Sequence, residues 1–383
     1  MRSVTTTKRA VAAAVLTVCL AIVLVWSTTF HPRDGQPETI FCDANTSILK
    51  PGQTLKVLSY NVQFMAGKGY LFFFELPNDA GPDERPRPTD VTHTTDEVAR
   101  IIKEENPDIV LLQEVDDGAK RTGYTDQLRA LLSKLPSAYR CHTSTFYWKA
   151  RFVPHRRIMG SVGMKLSTIS KYRISASIRH TLAAAPRNAL VRQFHPKRAI
   201  LETRFPVEGG KDLVVLNLHL EAFPGGSDVM QKQVMQLDAV LTGLCEENHP
   251  FVAGGDFNLL PPGQRTHLPP DETSVYRQDT EMVLFYTKYQ VIPSLTNVDS
   301  PMHSDWFTHF PNSPGVVGPD RTIDYFVLSS QSRVLDAYVR QRDTLRISDH
   351  LPLVVLLRLE MRGSAHLKSS SPVGRPRMAR DFE

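Results

Sequence analysis

Short apolar runs that stop at polar side chains recur along this chain, and they set the first expectation. Leu55 to Val62 includes Ser59-Tyr60-Asn61 at its end, Ile109 to Leu112 runs into Gln113-Glu114, and Leu213 to Leu220 ends in Asn217-Leu218-His219. Phe251 to Gly255 stops at Asp256-Phe257-Asn258, Ile323-Asp324 opens a run to Leu328, and Ser348-Asp349-His350 precedes Leu351 to Leu359. Runs this short are read as buried strands rather than helices. At period two Asp256 and Asn258 share a side, and Gly254 and Gly255 let backbone or substrate come close. Helical spacing falls between the runs. Thr94-x-x-Glu97 is a capping-box pattern, followed by Val98, Ile101 and Ile102 until Asn106-Pro107 stops the helix. Leu128, Leu131, Leu132 and Leu135 give a second helix, and Met230, Val234, Leu237, Leu241 and Leu244 a third within 227–244. From Tyr139 to about Leu201, apolar segments alternate with polar turns, which predicts antiparallel strands.

The amino terminus follows a different pattern. Arg2, Lys8 and Arg9 precede Ala10 to Phe30, which contains no charged residue. At about 1.5 Å per residue that stretch reaches roughly 31 Å, enough to cross a bilayer's hydrocarbon core. Val23-Leu24-Val25-Trp26 is a poor cleavage site, so an uncleaved anchor is expected rather than a removed signal peptide. Basic residues before the span place the amino terminus in the cytoplasm and the rest of the chain on the extracytoplasmic side. The expected organisation is a basic segment and single-pass signal-anchor over 1–30, a tether over 31–54, one folded domain over 55–360, and a disordered tail over 361–383.

Composition adds little to this. A chain 41% hydrophobic and 22% charged is not globally disordered. A net charge of +5 permits anionic partners without requiring them. Four cysteines, Cys19, Cys42, Cys141 and Cys245, match no zinc spacing and are read as mostly structural or incidental thiols; with Cys19 in the span at most one disulfide can form among the other three, Cys42 to Cys141 being the guess. A proline-rich excursion from about Gly67 to Pro88 holds Tyr70-Leu71-Phe72-Phe73-Phe74, a cluster that either packs inside or offers a lipid chain a groove. Arg156-Arg157 and Lys197-Arg198 are read as solvated charges, with substrate anions as the alternative.

The polar strand ends carry the chemistry. Singly, Asn61 and Asn258 also fit turns, Asp324 a strand cap and His219 a core histidine. Together they suggest convergence on one cleft, because a sheet sandwich gathers its strand ends along an edge. Carboxylates and amides suit a hard divalent cation such as Mg²⁺. A histidine beside a carboxylate can act on water. Metal, base and hydrogen-bond donors describe hydrolysis of a phosphate ester.

These ordered motifs, from Leu58-Ser59-Tyr60-Asn61-Val62 through Gln113-Glu114-Val115-Asp116 to Ser348-Asp349-His350, resemble the endonuclease/exonuclease/phosphatase superfamily. It includes deoxyribonucleases, apurinic endonucleases, neutral sphingomyelinases and inositol polyphosphate 5-phosphatases. The resemblance implies an α/β (α+β) fold, a four-layered αββα sandwich with two mainly antiparallel sheets, here preceded by one transmembrane helix. It implies Glu114 as principal metal ligand, with Asn61 and Asp349 completing or supporting the shell, and Mg²⁺ as the ion with Mn²⁺ as alternative. His350, held by Asp324, would activate water or bind phosphate. Asp256 and Asn258 would orient the nucleophile, and His219 would contact the phosphate or leaving group.

Location then selects among substrates. An outward-facing, membrane-tethered enzyme meets phospholipids, so a sphingomyelinase-like phosphodiesterase is expected first. An extracytoplasmic nuclease is the alternative, and a non-catalytic module gripping phosphate head groups is a second. The sequence leaves the oligomeric state open.

Overall fold

Alternation along each strand assigns its side chains to one of two layers. On β4 (Ile109–Asp116), Ile109 and Leu111 face a second sheet while Val110 and Leu112 face helices; on β9 (Leu213–His219), Leu213 and Val215 face between the sheets while Val214, Leu216 and Leu218 face helices. The result is a sandwich, described here by a computed structural model over residues 2–222, 227–269, 273, 276–313 and 315–360. The tail expected to be disordered lies outside these residues.

One seven-stranded sheet runs β13 (Ser332–Val339), β14 (Leu353–Leu359), β3 (Thr54–Asn61), β4, β6 (Gly160–Ser170), β5 (Cys141–Val153) and β2 (Ile40–Cys42). The other runs β1 (Gln36–Pro37), β7 (Ala176–Thr181), β8 (Ala199–Phe205), β9, β10 (Phe251–Asp256), β12 (Asp324–Leu328) and β11 (Gln290–Ile292). Each contains one parallel pair, β3 with β4 and β9 with β10; the other neighbours are antiparallel. The helices α2 (Pro88–Glu105) and α3 (Gln127–Leu132) cover the first sheet, through Val98, Ile101, Ile102, Leu128 and Leu131. A short α4 (Ala189–Phe194) lies beside β5, where Trp148 Nε1 donates to the Phe194 carbonyl at 2.7 Å. The helices α5 (Val229–Glu246) and α6 (Met282–Lys288) cover the second sheet, through Met230, Val234, Leu237, Leu241, Met282 and Phe285.

Two local expectations change, and one open reading is decided. The helix expected to start at Thr94 begins at Pro88, where a proline's fixed φ suits the first turn. Thr94 and Thr95 are buried inside it, and Thr95 Oγ1 donates to the Val91 carbonyl at 2.7 Å. The span expected as a tether is partly woven into the domain: β1 and β2 extend the two sheets, Cys42 and Cys141 form a disulfide, and Leu49 is fully buried. The aromatic cluster packs inward for the most part. Phe72 is buried, stacked on Tyr70 with ring centroids 5.6 Å apart and edge-on to Phe64 at 4.8 Å; Phe73 lies against His155. Of its phenylalanines only Phe74 is exposed, so of the two readings the inward packing holds and the lipid groove does not.

The amino-terminal helix α1 (Arg2–Thr28) is long and apolar enough to cross a membrane and buries none of that apolar stretch in the domain. Its Leu16, Ile22 and Leu24 are at least 60% exposed. A helix apolar on every side is satisfied by lipid or a partner, not by water.

Candidate active site

Toward one edge of the sandwich, the layer between the sheets changes from apolar to polar. On β3 the inward positions are Leu55, Val57, Ser59 and Asn61; on β9 they are Leu213, Val215, Asn217 and His219; on β10, Val252, Gly254 and Asp256. Because β12 runs antiparallel to β10, its first residue Asp324 sits beside Asp256. Gly254 is required between the sheets, since a Cβ there would come within 2.5 Å of the Phe326 ring, and Gly255 adopts φ 148° with the Leu218 carbonyl where a Cβ would be.

Glu114 is out of phase with this alternation. A register shift between Leu112 and Val115 against β6, with Glu114 itself at φ 59°, re-aims the side chain toward the inward face. Strand bulges of this kind often redirect side chains at active sites. Asn61 Nδ2 then donates to Asp256 Oδ2 at 3.0 Å and to Glu114 Oε1 at 3.4 Å, linking the two sheets. A second link lies deeper, where Gln113 Nε2 donates to Asn217 Oδ1 at 2.8 Å.

His350 Nδ1 is 2.8 Å from Asp324 Oδ2, and its Nε2 is 3.5 Å from Asp256 Oδ2. The Asp324 contact therefore fixes the ring with Nε2 toward Asp256. Burial opposes charge on His350, but Asp324 and Asp256 outweigh it and raise the imidazole to about 10. Burial raises Asp256 to about 7, against the pull of His350. His219 Nε2 lies 3.3 Å from Asp256 Oδ2 and Nδ1 lies 3.3 Å from the Tyr147 hydroxyl. Burial, then Arg198 and His350, keep His219 neutral by lowering it well below the usual imidazole range. Asn258, at φ 52°, donates its backbone N–H to Asp256 Oδ1 at 2.9 Å and its side-chain amide to the Leu220 carbonyl at 3.2 Å. Ser348 Oγ ties the Asp349-His350 turn to β3 by donating to the Asn61 carbonyl at 2.8 Å.

The structure thus brings Asn61, Glu114, His219, Asp256, Asp324, Asp349 and His350 to one edge, with Asn258 bracing Asp256. Glu114 and Asp349 are the open carboxylates, their side chains 19% and 13% exposed against 2% for Asp256 and Asp324. Burial and Asp349 raise Glu114, and burial also raises Asp349. Asp324 Oδ1 is buried without a hydrogen-bond partner among the described residues. Glu114 and Asp349, open carboxylates of which Asp349 raises Glu114, are oxygen donors suited to a hard divalent cation, while Asp256, Asp324 and His350, with atoms within 4.8 Å of one another, are tied to each other beside them.

Several groups here escaped the sequence reading. Arg198, read as solvated, is 7% exposed, and its Nε and Nη1 have no hydrogen-bond partner among the described residues. Its guanidinium lies 5.2 Å from the Tyr147 ring and bears electrostatically on Glu114 and His219. The available signal was register: β8 runs antiparallel to β9, so a cation just before β8 falls beside His219. The excursion after β3 contributes Lys68, whose Nζ donates to the Phe310 carbonyl at 2.6 Å and Asn312 Oδ1 at 2.8 Å. Burial lowers Lys68 to about 8 and raises Glu75 to about 8, and both sense Asp349. His309 packs edge-on to His350 with centroids 4.7 Å apart. Arg156, by contrast, is exposed beside Asp79.

Residues 58–350 match the Endonuclease/Exonuclease/phosphatase family. The chain belongs to that family. Among solved structures, it is similar to an endonuclease/exonuclease/phosphatase from Beutenbergia cavernae DSM 12333, at 22% identity and TM-score 0.53, covering 80% of this chain and 72% of that one. It is also similar to the human Nocturnin catalytic domain with bound sulfate, at 17% identity and TM-score 0.50, covering 85% and 99%. ANGEL2, a 2',3'-cyclic phosphatase, gives 16% identity and TM-score 0.50, covering 85% and 99%. No curated protein matches. At these identities the structural likeness shows the fold: the family's phosphoesterase sandwich, whose members are hydrolases acting on phosphate esters.

Proposed function

We propose that this chain is a divalent-metal-dependent phosphodiesterase that hydrolyses a phospholipid head group at a membrane surface. The observation that supports the substrate class is the position of α1. Its last residues, Ser27 and Thr28, and the following Thr29 and Phe30 line a cavity of about 490 Å³ together with Asp117 and Gly118. Those two residues follow directly on Asp116 at the end of β4, two positions past Glu114. The catalytic edge and the end of a membrane-long helix therefore share one side of the molecule, and the packing of the aromatic loop does not affect this.

Glu114, Asn61 and Asp349 would hold the cation, Mg²⁺ on the chemistry of the donors with Mn²⁺ as the alternative. Once bound it would supply charge for a phosphoryl oxygen. The protein's groups divide the remaining work. Asp256, braced by the Asn61 amide and the Asn258 N–H, is the carboxylate placed to take a proton from attacking water. His350, oriented by Asp324, presents Nε2 as a cationic donor to phosphate. His219, neutral and buried, contributes an N–H in the same cleft, and Arg198 offers unpaired donors to a second phosphoryl oxygen.

The test uses the purified full chain with Mg²⁺ or EDTA against sphingomyelin and glycerophospholipid vesicles, plasmid DNA, RNA and soluble inositol phosphates. Metal-dependent release of a phosphorylated head group, with nucleic acids intact, is expected. Nicking of plasmid without lipid turnover would replace this reading with a nuclease, and binding of vesicles without turnover of any substrate would replace it with a head-group-binding module.

A further inference from the structure

The junction between α1 and the domain is built rather than loose. Thr29 forms an antiparallel bridge with Ala150 near the end of β5. Phe30 meets Phe146 edge-on at 6.4 Å and lies under the Arg179 guanidinium at 5.9 Å. Asp34 Oδ1 accepts from the Thr181 N–H at 2.7 Å, β1 and β2 join both sheets, and the Cys42–Cys141 disulfide closes the segment onto β5. With so many attachments between residues 29 and 42, the segment leaving the helix runs over the domain in one orientation.

That orientation places one surface beside the helix end. The β5–β6 hairpin continues past Ala150 with Arg151 and Phe152, both exposed, and Lys149 precedes it; Phe152 is 44% exposed and Met159, across the hairpin, 52%. At about 3.3 Å per strand residue, Lys149, Arg151 and Phe152 lie within roughly 7 Å of Ala150, comparable to the polar zone of one leaflet at roughly 5–8 Å. Trp26, a residue type enriched at that boundary, stacks on His31 one turn before the bridge. Among the described residues neither Lys149 nor Arg151 has an ion-pair partner, and Lys149 Nζ rests 4.0 Å from the Phe146 ring. Two cations just before an exposed aromatic, next to a membrane-long helix, complement an anionic headgroup layer.

We infer that the β5–β6 hairpin is a bilayer-docking element: Lys149 and Arg151 meet anionic headgroups and Phe152 enters the interface, turning the catalytic edge toward the lipid. This rests on α1 spanning the membrane, which the experiment checks separately. Nitroxide labels are placed on the full chain, with Cys19→Ser and Cys245→Ser, at one of three sites: Leu16→Cys on α1, Phe152→Cys on the hairpin, or Leu335→Cys. Leu335, 41% exposed on β13, is five strands from β5, or about 24 Å at roughly 4.8 Å per strand. Each protein is reconstituted into nanodiscs of phosphatidylcholine with or without phosphatidylglycerol, and oxygen and nickel-chelate accessibilities are read by power saturation. The expected result is a bilayer-buried Leu16 label, an aqueous Leu335 label, and a Phe152 label whose oxygen-to-nickel ratio exceeds the Leu335 value several-fold. In anionic discs, adding K149E and R151E is expected to return the Phe152 label toward the Leu335 value, since each basic residue near such a surface is worth about fivefold in partitioning. An aqueous Phe152 label beside a buried Leu16 label overturns the docking element while leaving the anchor. An aqueous Leu16 label overturns both. A buried Phe152 label indifferent to the charge reversals overturns the role of Lys149 and Arg151.

Discussion

The two ends of the layer between the sheets use the same strands for opposite purposes. At one end Leu55, Val57, Ile109, Leu213, Val215, Val252 and Leu328 fill the gap and are fully buried. At the other, continuing the same alternation, Asn61, Asn217, His219, Asp256 and Asp324 occupy it, almost as deeply buried. The apolar end gains stability by leaving water. The polar end gives up that gain, because buried carboxylates cost stability unless paired. What it obtains is a set of charged groups fixed before substrate arrives, which is where electrostatic catalysis comes from.

Substitutions separate the two ends. Asp256→Asn at the polar end should lower turnover by about 10³-fold or more, while the thermal midpoint holds or rises, since a buried charge is removed without changing shape. Steady-state kinetics with a melting curve on the same sample checks both halves, and a large loss of stability would make Asp256 part of the core instead. Leu111→Ala at the apolar end, where the side chain approaches Gly254, should cost about 3 kcal/mol in denaturant unfolding and leave kcat per folded molecule near wild type. Arg198→Ala should reduce kcat/KM by roughly 10- to 100-fold, as loss of a charge-assisted hydrogen bond would. An unchanged kcat/KM would leave Arg198 as a buried cation with no part in catalysis.

Protonation gives a smaller contrast. Folding raises Asp256 from an ordinary carboxylate value near 3.8 to about 7, and His350 from 6.5 to about 10. In both, the proton-bound form is favoured in the folded state. The contribution of Asp256 is therefore full below about pH 4 and lost as pH rises to 7. That of His350 is full below about 6.5 and lost through 10. The metal-free protein should melt several degrees lower at pH 9 than at pH 5. Mg²⁺ should narrow that gap, and Asp256→Asn should flatten the lower part of the profile.

Strand ends were legible in the sequence because an apolar run that breaks at Asn61, His219 or Asp256 leaves a signal within a few residues. The central strands and α5 were readable for the same reason. What escaped depends on partners distant in sequence. Nothing local marks Gln36–Pro37 or Ile40–Cys42 as strands, since their pairing is with β7 and β5. Thr94-x-x-Glu97 imitates a helix start because threonine also tolerates a buried helix position once its hydroxyl bonds back to the preceding turn, as Thr95 does with Val91. Glu114 was placed in the site by motif, but the bulge that turns it inward shows only in the β4–β6 register. Arg198 looked like any surface cation until its missing partners were visible.

The central claim is that residues from both sheets form one metal-dependent phosphoesterase centre, and it can be tested without choosing the natural substrate. The measurement is hydrolysis of bis(p-nitrophenyl) phosphate by the full chain across a Mg²⁺ titration, alongside calorimetric Mg²⁺ binding, for wild type and Glu114→Gln. Turnover that vanishes in EDTA, returns with Mg²⁺, and in Glu114→Gln falls together with Mg²⁺ affinity is the predicted result. Turnover that persists in EDTA, or Mg²⁺ binding unchanged by Glu114→Gln, would contradict it.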